Sequence, residues 1–138
     1  MLKISTRCRY GLLAMVELGQ HDGQTPMSVQ DIYQKQRIPK FYLQQLLVKL
    51  RRNGLVESVR GSKGGFVLKK DPKQIKILDI VKAVEGPVQL IFCTKKAKDR
   101  CCRRIKECLT RPVWVELHEV VNKVLSERTL HDLTQNLP

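Results

Sequence analysis

The spacing of apolar residues changes at Asn53–Gly54, and this change most limits what the chain can fold into. Before it, four leucines follow one face of an α-helix: Leu43, Leu46, Leu47 and Leu50. After it, residues 55–59 and 65–68 read as strands on either side of the glycine-rich turn 60–65. Gly54 can adopt the left-handed backbone conformation that commonly ends a helix. The sequence therefore predicts a helix followed directly by a glycine-tipped hairpin.

Two further helices are predicted before the leucine stripe. Ser5 or Thr6 can cap the first, because a side-chain oxygen there accepts a hydrogen bond from the first turn. Ser28 can cap a short second helix that ends near Arg37, and Pro39 can open the third, where its missing N–H is harmless. Three helices and a hairpin in this order predict a winged helix-turn-helix over residues 1–72.

The second half of the chain is predicted to be helical. A short helix is expected over 77–85, within a segment 73–110 that also contains a cysteine-rich loop, the predicted sensor. A long helix is expected from Arg111, and segment 111–138 is then a dimerisation helix with a C-terminal tail. Its apolar stripe is wider than one core-facing side needs, which indicates pairing with a second copy. The predicted interface residues are Trp114, Leu117, Val121, Val124 and Leu125. The expected fold class is mostly α with a small β-hairpin wing.

The charge of the chain indicates a polyanionic partner. Its 138 residues carry a formal net charge of +13, and nucleic acid is the usual partner of so basic a protein. The basic residues are not gathered opposite one apolar helix face, so we expect no membrane binding. The first apolar run contains Glu17 and is too short to span a bilayer, and together with reduced thiols this predicts a cytoplasmic location.

The third helix and the hairpin tip are the predicted DNA-reading surface. The second helix of a helix-turn-helix presents its N-terminal residues to the major groove. Glutamine can pair with adenine, aromatic rings can contact thymine methyl groups, and basic side chains meet phosphates. Arginine at a hairpin tip can enter the minor groove, where the potential is negative. The predicted DNA-binding residues are Lys40, Phe41, Tyr42, Gln44, Gln45, Lys49, Arg51, Arg52, Arg60 and Lys63.

Four of the five cysteines lie within residues 93–108, among many lysines and arginines. This segment has little apolar surface in which a structural cysteine could be buried, so thiolate ligands for a soft metal explain it better. The surrounding positive charges should lower the thiol pKa values and favour the thiolate form. Cys101 and Cys102 are adjacent, and we expect only one of them to bind a given centre. Redox-sensing thiols and a zinc-stabilised structural or RNA-binding module are the alternatives.

No catalytic constellation is recognisable in the sequence. It lacks a nucleophile elbow, a Walker loop and carboxylates paired with histidine at helical spacing. The glycine-rich turn 61–65 has the wrong spacing for a phosphate loop. We therefore do not expect an enzyme.

Segments 2–11, 38–47, 50–56, 59–66 and 108–114 together resemble the Rrf2 family of winged-helix repressors. The most specific part is Asn-Gly-Leu-Val followed by Arg-Gly-Ser-Lys-Gly-Gly, and the resemblance covers nearly the whole chain. It implies a homodimer that pairs through the long helix and binds palindromic operators in double-stranded DNA. It also implies that the third helix enters the major groove and Arg60 the minor groove.

The resemblance further implies an iron–sulfur cluster, 2Fe–2S or 4Fe–4S, on Cys93, Cys102 and Cys108. The five-residue gap before Cys108 matches the family and favours Cys102, with Cys101 as the alternative. The chain departs from the family pattern at Arg111, which stands where some members have a histidine ligand. Some relatives take a ligand from the N-terminal helix of the other subunit, and Cys8 of the partner subunit is then a candidate fourth ligand.

A second departure concerns base reading, because Gln44 stands where a cluster-binding relative has glutamate. This difference predicts an altered operator preference. Taken with the resemblance, the sequence predicts a DNA-binding transcriptional repressor whose operator binding responds to the cluster. The alternative is a cluster-free regulator that senses thiol oxidation, a partner protein or a metabolite.

Overall fold

Helix α1 (Thr6–Gln20) lies at the centre of the structure, a computed structural model that describes residues 3–21, 25–94 and 102–135. Ser5 caps it, because its Oγ accepts a hydrogen bond from the backbone N–H of Cys8 at 3.0 Å. One side of α1 is buried at Ala14, Met15 and Leu18. At Gly11 the chain passes so close to a later helix that an added Cβ would lie 3.0 Å from Cγ1 of Val84.

Helices α2 (Val29–Gln36) and α3 (Lys40–Arg52) form the helix-turn-helix. Ser28 and Asp31 form a reciprocal capping box at the start of α2, and Arg37 ends it in the left-handed conformation with φ of 56°. The four leucines of the α3 stripe are all buried. The Glu17 carboxylate, although buried, accepts a hydrogen bond from Gln36 and pairs with Lys35 at 3.5 Å, which ties α1 to α2.

Strands β1 (Val56–Val59) and β2 (Gly65–Leu68) form the antiparallel wing, with Val56 opposite Leu68 and Val59 opposite Gly65. The wing is anchored to the helical core through an antiparallel bridge between Met27 and Phe66. A Cβ added at Gly65 would lie 2.3 Å from the backbone oxygen of Met27, so this approach requires glycine.

Three helices complete the fold. Helix α4 (Ile77–Glu85) buries five residues and packs against α1, while the short α6 (Leu130–Gln135) packs on the same helix at Gly19. Helix α5 (Arg111–Glu127) has no fully buried residue and contacts α4 and the short 3₁₀ turn at Phe92–Thr94. A second 3₁₀ turn at Pro72–Gln74 leads into α4.

The fold confirms the predicted winged helix-turn-helix followed by a long C-terminal helix. The helices begin where they were predicted to begin, after the N-cap residues Ser5, Ser28 and Pro39 and at Arg111. Helix α2 ends at Gln36, one residue before the predicted end near Arg37, and the sequence did not predict the two 3₁₀ turns. Over the residues that the structure describes, no helix is both long and apolar enough to span a membrane.

Candidate nucleic-acid interface and cysteine loop

Helix α3 presents an exposed edge at its N-terminal end. Phe41 is 73% exposed, so its ring is open to a partner. Gln44 and Gln45 are also exposed on this helix. The Lys40 ammonium lies 5.1 Å from the centroid of the Tyr33 ring, so a cation–π contact with α2 restrains it. Four of the predicted base-reading and backbone-contacting residues therefore share one accessible edge.

Three other predicted contact residues are held by intramolecular contacts. Tyr42 is half-buried, and its ring meets Tyr10 of α1 edge-on with centroids 5.5 Å apart. The Lys49 ammonium donates a hydrogen bond to the backbone oxygen of Val84 at 3.3 Å. The Arg51 guanidinium lies 3.4 Å from the Ser58 hydroxyl on β1. Lys49 was predicted to meet DNA phosphate, whereas its ammonium here also satisfies a carbonyl at the C-terminal end of α4.

The wing tip carries two exposed cations, Arg60 and Lys63. Gly61 has a φ of 118°, which side-chain-bearing residues rarely adopt. At Gly64 an added Cβ would lie 2.3 Å from the backbone oxygen of Val59, so the turn is too tight there for any larger residue. The glycines therefore give a narrow tip from which the two cations project, with exposed Arg52 at the end of α3 as a further cation.

The cysteine loop is described at Cys93, Cys102 and Cys108, while Cys101 lies outside the described residues. All three are free thiols and half-buried. Cys93 belongs to the 3₁₀ turn that contacts α5, and its backbone oxygen accepts a hydrogen bond from the Arg111 Nε at 3.3 Å. Arg111 thus joins the loop to the start of α5.

The surroundings of Cys108 lower the pKa of its thiol. A hydrogen bond with the Thr110 hydroxyl at 3.4 Å lowers the pKa of the Cys108 thiol below its ordinary value. The backbone N–H groups of Thr110 and Arg111 and the charge of Arg104 act in the same direction. Cys108 therefore has more of the reactive thiolate form at neutral pH than an ordinary cysteine.

The described cysteines do not form a metal site in this arrangement. Among residues 3–21, 25–94 and 102–135, no three Cys, His, Asp or Glu side chains lie together as a ligand set. The three predicted cluster ligands are therefore not assembled here. Cys8, the predicted fourth ligand from the partner subunit, is 8% exposed in the core. Burial and the charge of Glu85 raise its thiol pKa, which disfavours the thiolate that a metal binds.

The apolar residues of α5 face two directions. Val121 and Leu125 line a groove of about 530 Å³ that α5 forms with α1 and the end of α4, within the same chain. Val113, Val120 and Val124 are 60%, 51% and 52% exposed. Trp114 and Leu117 are half-buried. Val113 and Val120 belong to the predicted apolar stripe of this helix but are not among the predicted interface residues, although their seven-residue spacing places them on one helix face.

Comparison with known proteins places the chain in a family. A family model described as "Rrf2: Iron-dependent Transcriptional regulator" matches residues 4–136. The chain belongs to the Rrf2 family. The Rrf2 protein CymR of Bacillus subtilis, a transcriptional regulator, is 37% identical over 132 residues, which cover 96% of this chain and 89% of CymR. IscR of Serratia proteamaculans is 35% identical over 135 residues, which cover 98% of this chain and 80% of IscR.

Solved structures of Rrf2 proteins match the fold throughout. The structure of B. subtilis CymR, titled "the Global Cysteine Regulator", superposes with a TM-score of 0.80 at 36% identity and covers all of both chains. An oxidised form of Staphylococcus aureus CymR superposes with a TM-score of 0.79 at 31% identity and covers 99% of both chains. These matches confirm the predicted resemblance to the Rrf2 family. They also confirm the prediction of a DNA-binding transcriptional regulator rather than an enzyme.

Proposed function

We propose that this Rrf2 protein binds operator DNA as a homodimer, with α3 in the major groove and Arg60 of the wing in the minor groove. The observation that carries the proposal is the exposed edge of α3, where Phe41 and Gln44 are free to contact bases. A two-fold symmetric dimer reads a palindromic site, because each subunit presents the same helix to one half-site. Repression and a cytoplasmic location belong to the same proposal.

The exposed stripe of α5 supports the dimer. Val113, Val120 and Val124 follow one another at the spacing of helices that pair side by side, and each is more than half exposed. Trp114 and Leu117 border them, and Val121 and Leu125 lie on the adjoining face. Pairing with a second copy removes this apolar surface from water, which favours association.

The cysteine loop is the proposed sensor, and thiol oxidation is the chemistry that its geometry favours. The Cys108 thiolate would attack a peroxide, taking one oxygen to form a sulfenic acid and releasing water or an alcohol. A second cysteine thiol would then displace water from the sulfenic acid and form a disulfide. Because Arg111 joins this loop to α5, a change of loop conformation would reach the dimer helix.

An iron–sulfur cluster is the second candidate for the loop. The description of the family model names iron, and IscR is among the relatives that the chain matches. The resemblance to the Rrf2 family implies such a cluster for this chain. Cys93, Cys102 and Cys108 would supply thiolates to it, with Cys101 or the partner subunit's Cys8 as further candidates. Binding would require a different arrangement of the loop, because the three described thiols are not assembled as a ligand set.

Two measurements test the proposal. Selection of duplexes from a random library should enrich a palindrome, and failure to enrich any duplex would contradict the DNA-binding assignment.

Anaerobic incubation with iron and sulfide, followed by metal analysis, distinguishes thiol oxidation from an iron–sulfur cluster as the sensing chemistry. Stoichiometric iron and sulfide would overturn the thiol mechanism. A reversible disulfide in iron-free protein, with loss of operator binding, would support it.

A further inference from the structure

A small pocket lies between the first turn of α1 and the middle of α3. It encloses about 140 Å³, and it is lined by Arg7, Tyr42, Gln45, Leu46 and Lys49. This volume is well above what a single water molecule needs. Arg7, from α1, was not among the predicted DNA contacts, yet the pocket places it beside three residues that were.

The pocket is rich in hydrogen-bond donors and positive charge. Arg7 and Lys49 contribute two cations, Tyr42 a phenol and Gln45 an amide. Glu85 lines the separate groove beside α5, where it accepts a hydrogen bond from Ser5, and it is not a lining residue of this pocket.

The walls of the pocket are held in place before any ligand binds. Tyr42 packs edge-on against Tyr10, which fixes α3 against α1 beside Arg7. The Arg9 guanidinium lies 5.8 Å from the centroid of the Tyr10 ring and adds a cation–π contact. Lys49 is positioned by its hydrogen bond to Val84, and an ammonium has three donors, so two remain for a ligand. A pre-positioned site loses little side-chain entropy on binding.

We infer that this pocket binds a phosphate of the DNA backbone beside the groove that α3 enters, with Arg7 as the principal cation. The inference rests on the proposed DNA binding and extends the contact surface from α3 and the wing to α1. A phosphate contact fixes the position of the protein on the duplex without reading sequence. Arg7 therefore contributes to affinity for every duplex and not to the choice of operator.

The test measures how binding to a labelled duplex of mixed sequence depends on salt. Arg7→Gln is compared with Arg128→Gln, which removes the same charge from an exposed site after α5. Loss of one phosphate contact should make the slope of log K against log salt shallower by about 0.9 for Arg7→Gln. The slope of Arg128→Gln should stay at the wild-type value, and Arg7→Lys should restore most of the lost slope.

Failure of the phosphate site and failure of the proposed DNA binding give different results. Equal slopes for Arg7→Gln and the wild type, in folded protein that binds duplex, would overturn the phosphate site and leave the proposed function standing. Absence of salt-dependent duplex binding by the wild type would instead contradict the proposed function. Arg7 is exposed, so the variant should fold. If it does not, Arg7→Met keeps the alkyl stem and provides the same comparison.

Discussion

The Nε of Arg111 donates a hydrogen bond to the backbone oxygen of Cys93 at 3.3 Å, although the two residues are eighteen positions apart. Arg111 is the first residue of α5, and Cys93 lies in the 3₁₀ turn that begins the cysteine loop. The contact connects the start of the cysteine loop to the first residue of α5. A chemical change at the cysteines thus has a short route to α5.

Arg111→Ala should loosen this junction. A hydrogen bond with a charged donor contributes about 1.5–3 kcal/mol, and partial solvent exposure places this contact at the lower end. We expect amide hydrogen exchange at residues 92–94 and in the first turn of α5 to accelerate by about fivefold or more. Arg103→Ala, at an exposed arginine of the same loop, should leave these amides unchanged. Equal acceleration in both variants would contradict the junction.

Cys108 should react with iodoacetamide at lower pH than Cys8. Its pKa is lowered, so the thiolate fraction reaches one half below the ordinary value of about 8.5 and the rate levels off above that point. Thr110→Val should move this profile to higher pH, because the main hydrogen bond to the thiolate is lost. Peptide mass spectrometry over a pH series measures both. Cys8, buried and with a raised pKa, is the internal reference and should react more slowly.

Gln44→Ala and Arg60→Ala should affect DNA binding differently. Loss of a base-reading amide removes about 1–3 kcal/mol of discrimination at one base pair, so Gln44→Ala should broaden the selected operator. Arg60→Ala should weaken the binding of the selected operator, most strongly where its minor groove is narrow. Duplex selection and fluorescence anisotropy measure the two effects. A narrowed preference in Gln44→Ala would contradict base reading by this residue.

A charge on the exposed stripe of α5 should separate the subunits. Val124→Glu places a carboxylate where an apolar contact with a second copy is expected, and burying an unpaired charge is strongly unfavourable. Light scattering should show a dimer for the wild type and a monomer for this variant. Gln34→Glu, on the exposed face of α2, makes the same change of charge and should remain dimeric. A dimeric Val124→Glu protein would place the interface elsewhere.

Gly65→Ala should destabilise the wing. The added methyl group would lie 2.3 Å from the Met27 backbone oxygen, so the bridge between Met27 and Phe66 must open. Overpacking of this kind costs about 1–3 kcal/mol, measurable as a lower denaturation midpoint. Ser62→Ala at the exposed tip adds no such contact and should be neutral. An unchanged midpoint for Gly65→Ala would contradict the close approach.

Local signals in the sequence were sufficient to predict the elements of the DNA-binding region. The caps at Ser5 and Ser28, Pro39 and the left-handed Gly54 act within one helical turn, so they can be read without knowing the fold. The period of two around the glycine turn predicted the wing in the same way. The 3₁₀ turn at Phe92–Thr94 was missed, because its contacts are with α5, far away in the chain.

The functional site was predicted less completely than the fold, because the exposure and the hydrogen-bond partners of each side chain depend on tertiary packing. Gln44 and Arg60 are exposed, in keeping with their predicted roles. Lys49 had the same sequence character as its neighbours, but its ammonium is directed to Val84 by the contact between α3 and α4. Arg7 gave no sequence signal beyond its charge, and the packing of Tyr10 on Tyr42 places α1 beside the reading helix.

The sequence by itself determined the order and starts of the helices, the glycine wing, the basic character and the family, because these depend on neighbouring residues and on composition. Only the tertiary structure decided which cations face outward, which apolar residues of α5 are exposed, and that Cys93, Cys102 and Cys108 do not lie together as a ligand set among the described residues. The physical reason is that side-chain direction and thiol acidity are set by contacts between distant segments. The hydrogen bond from Thr110 lowers the pKa of the Cys108 thiol, whereas burial, together with the charge of Glu85, raises the pKa of the chemically identical Cys8 thiol.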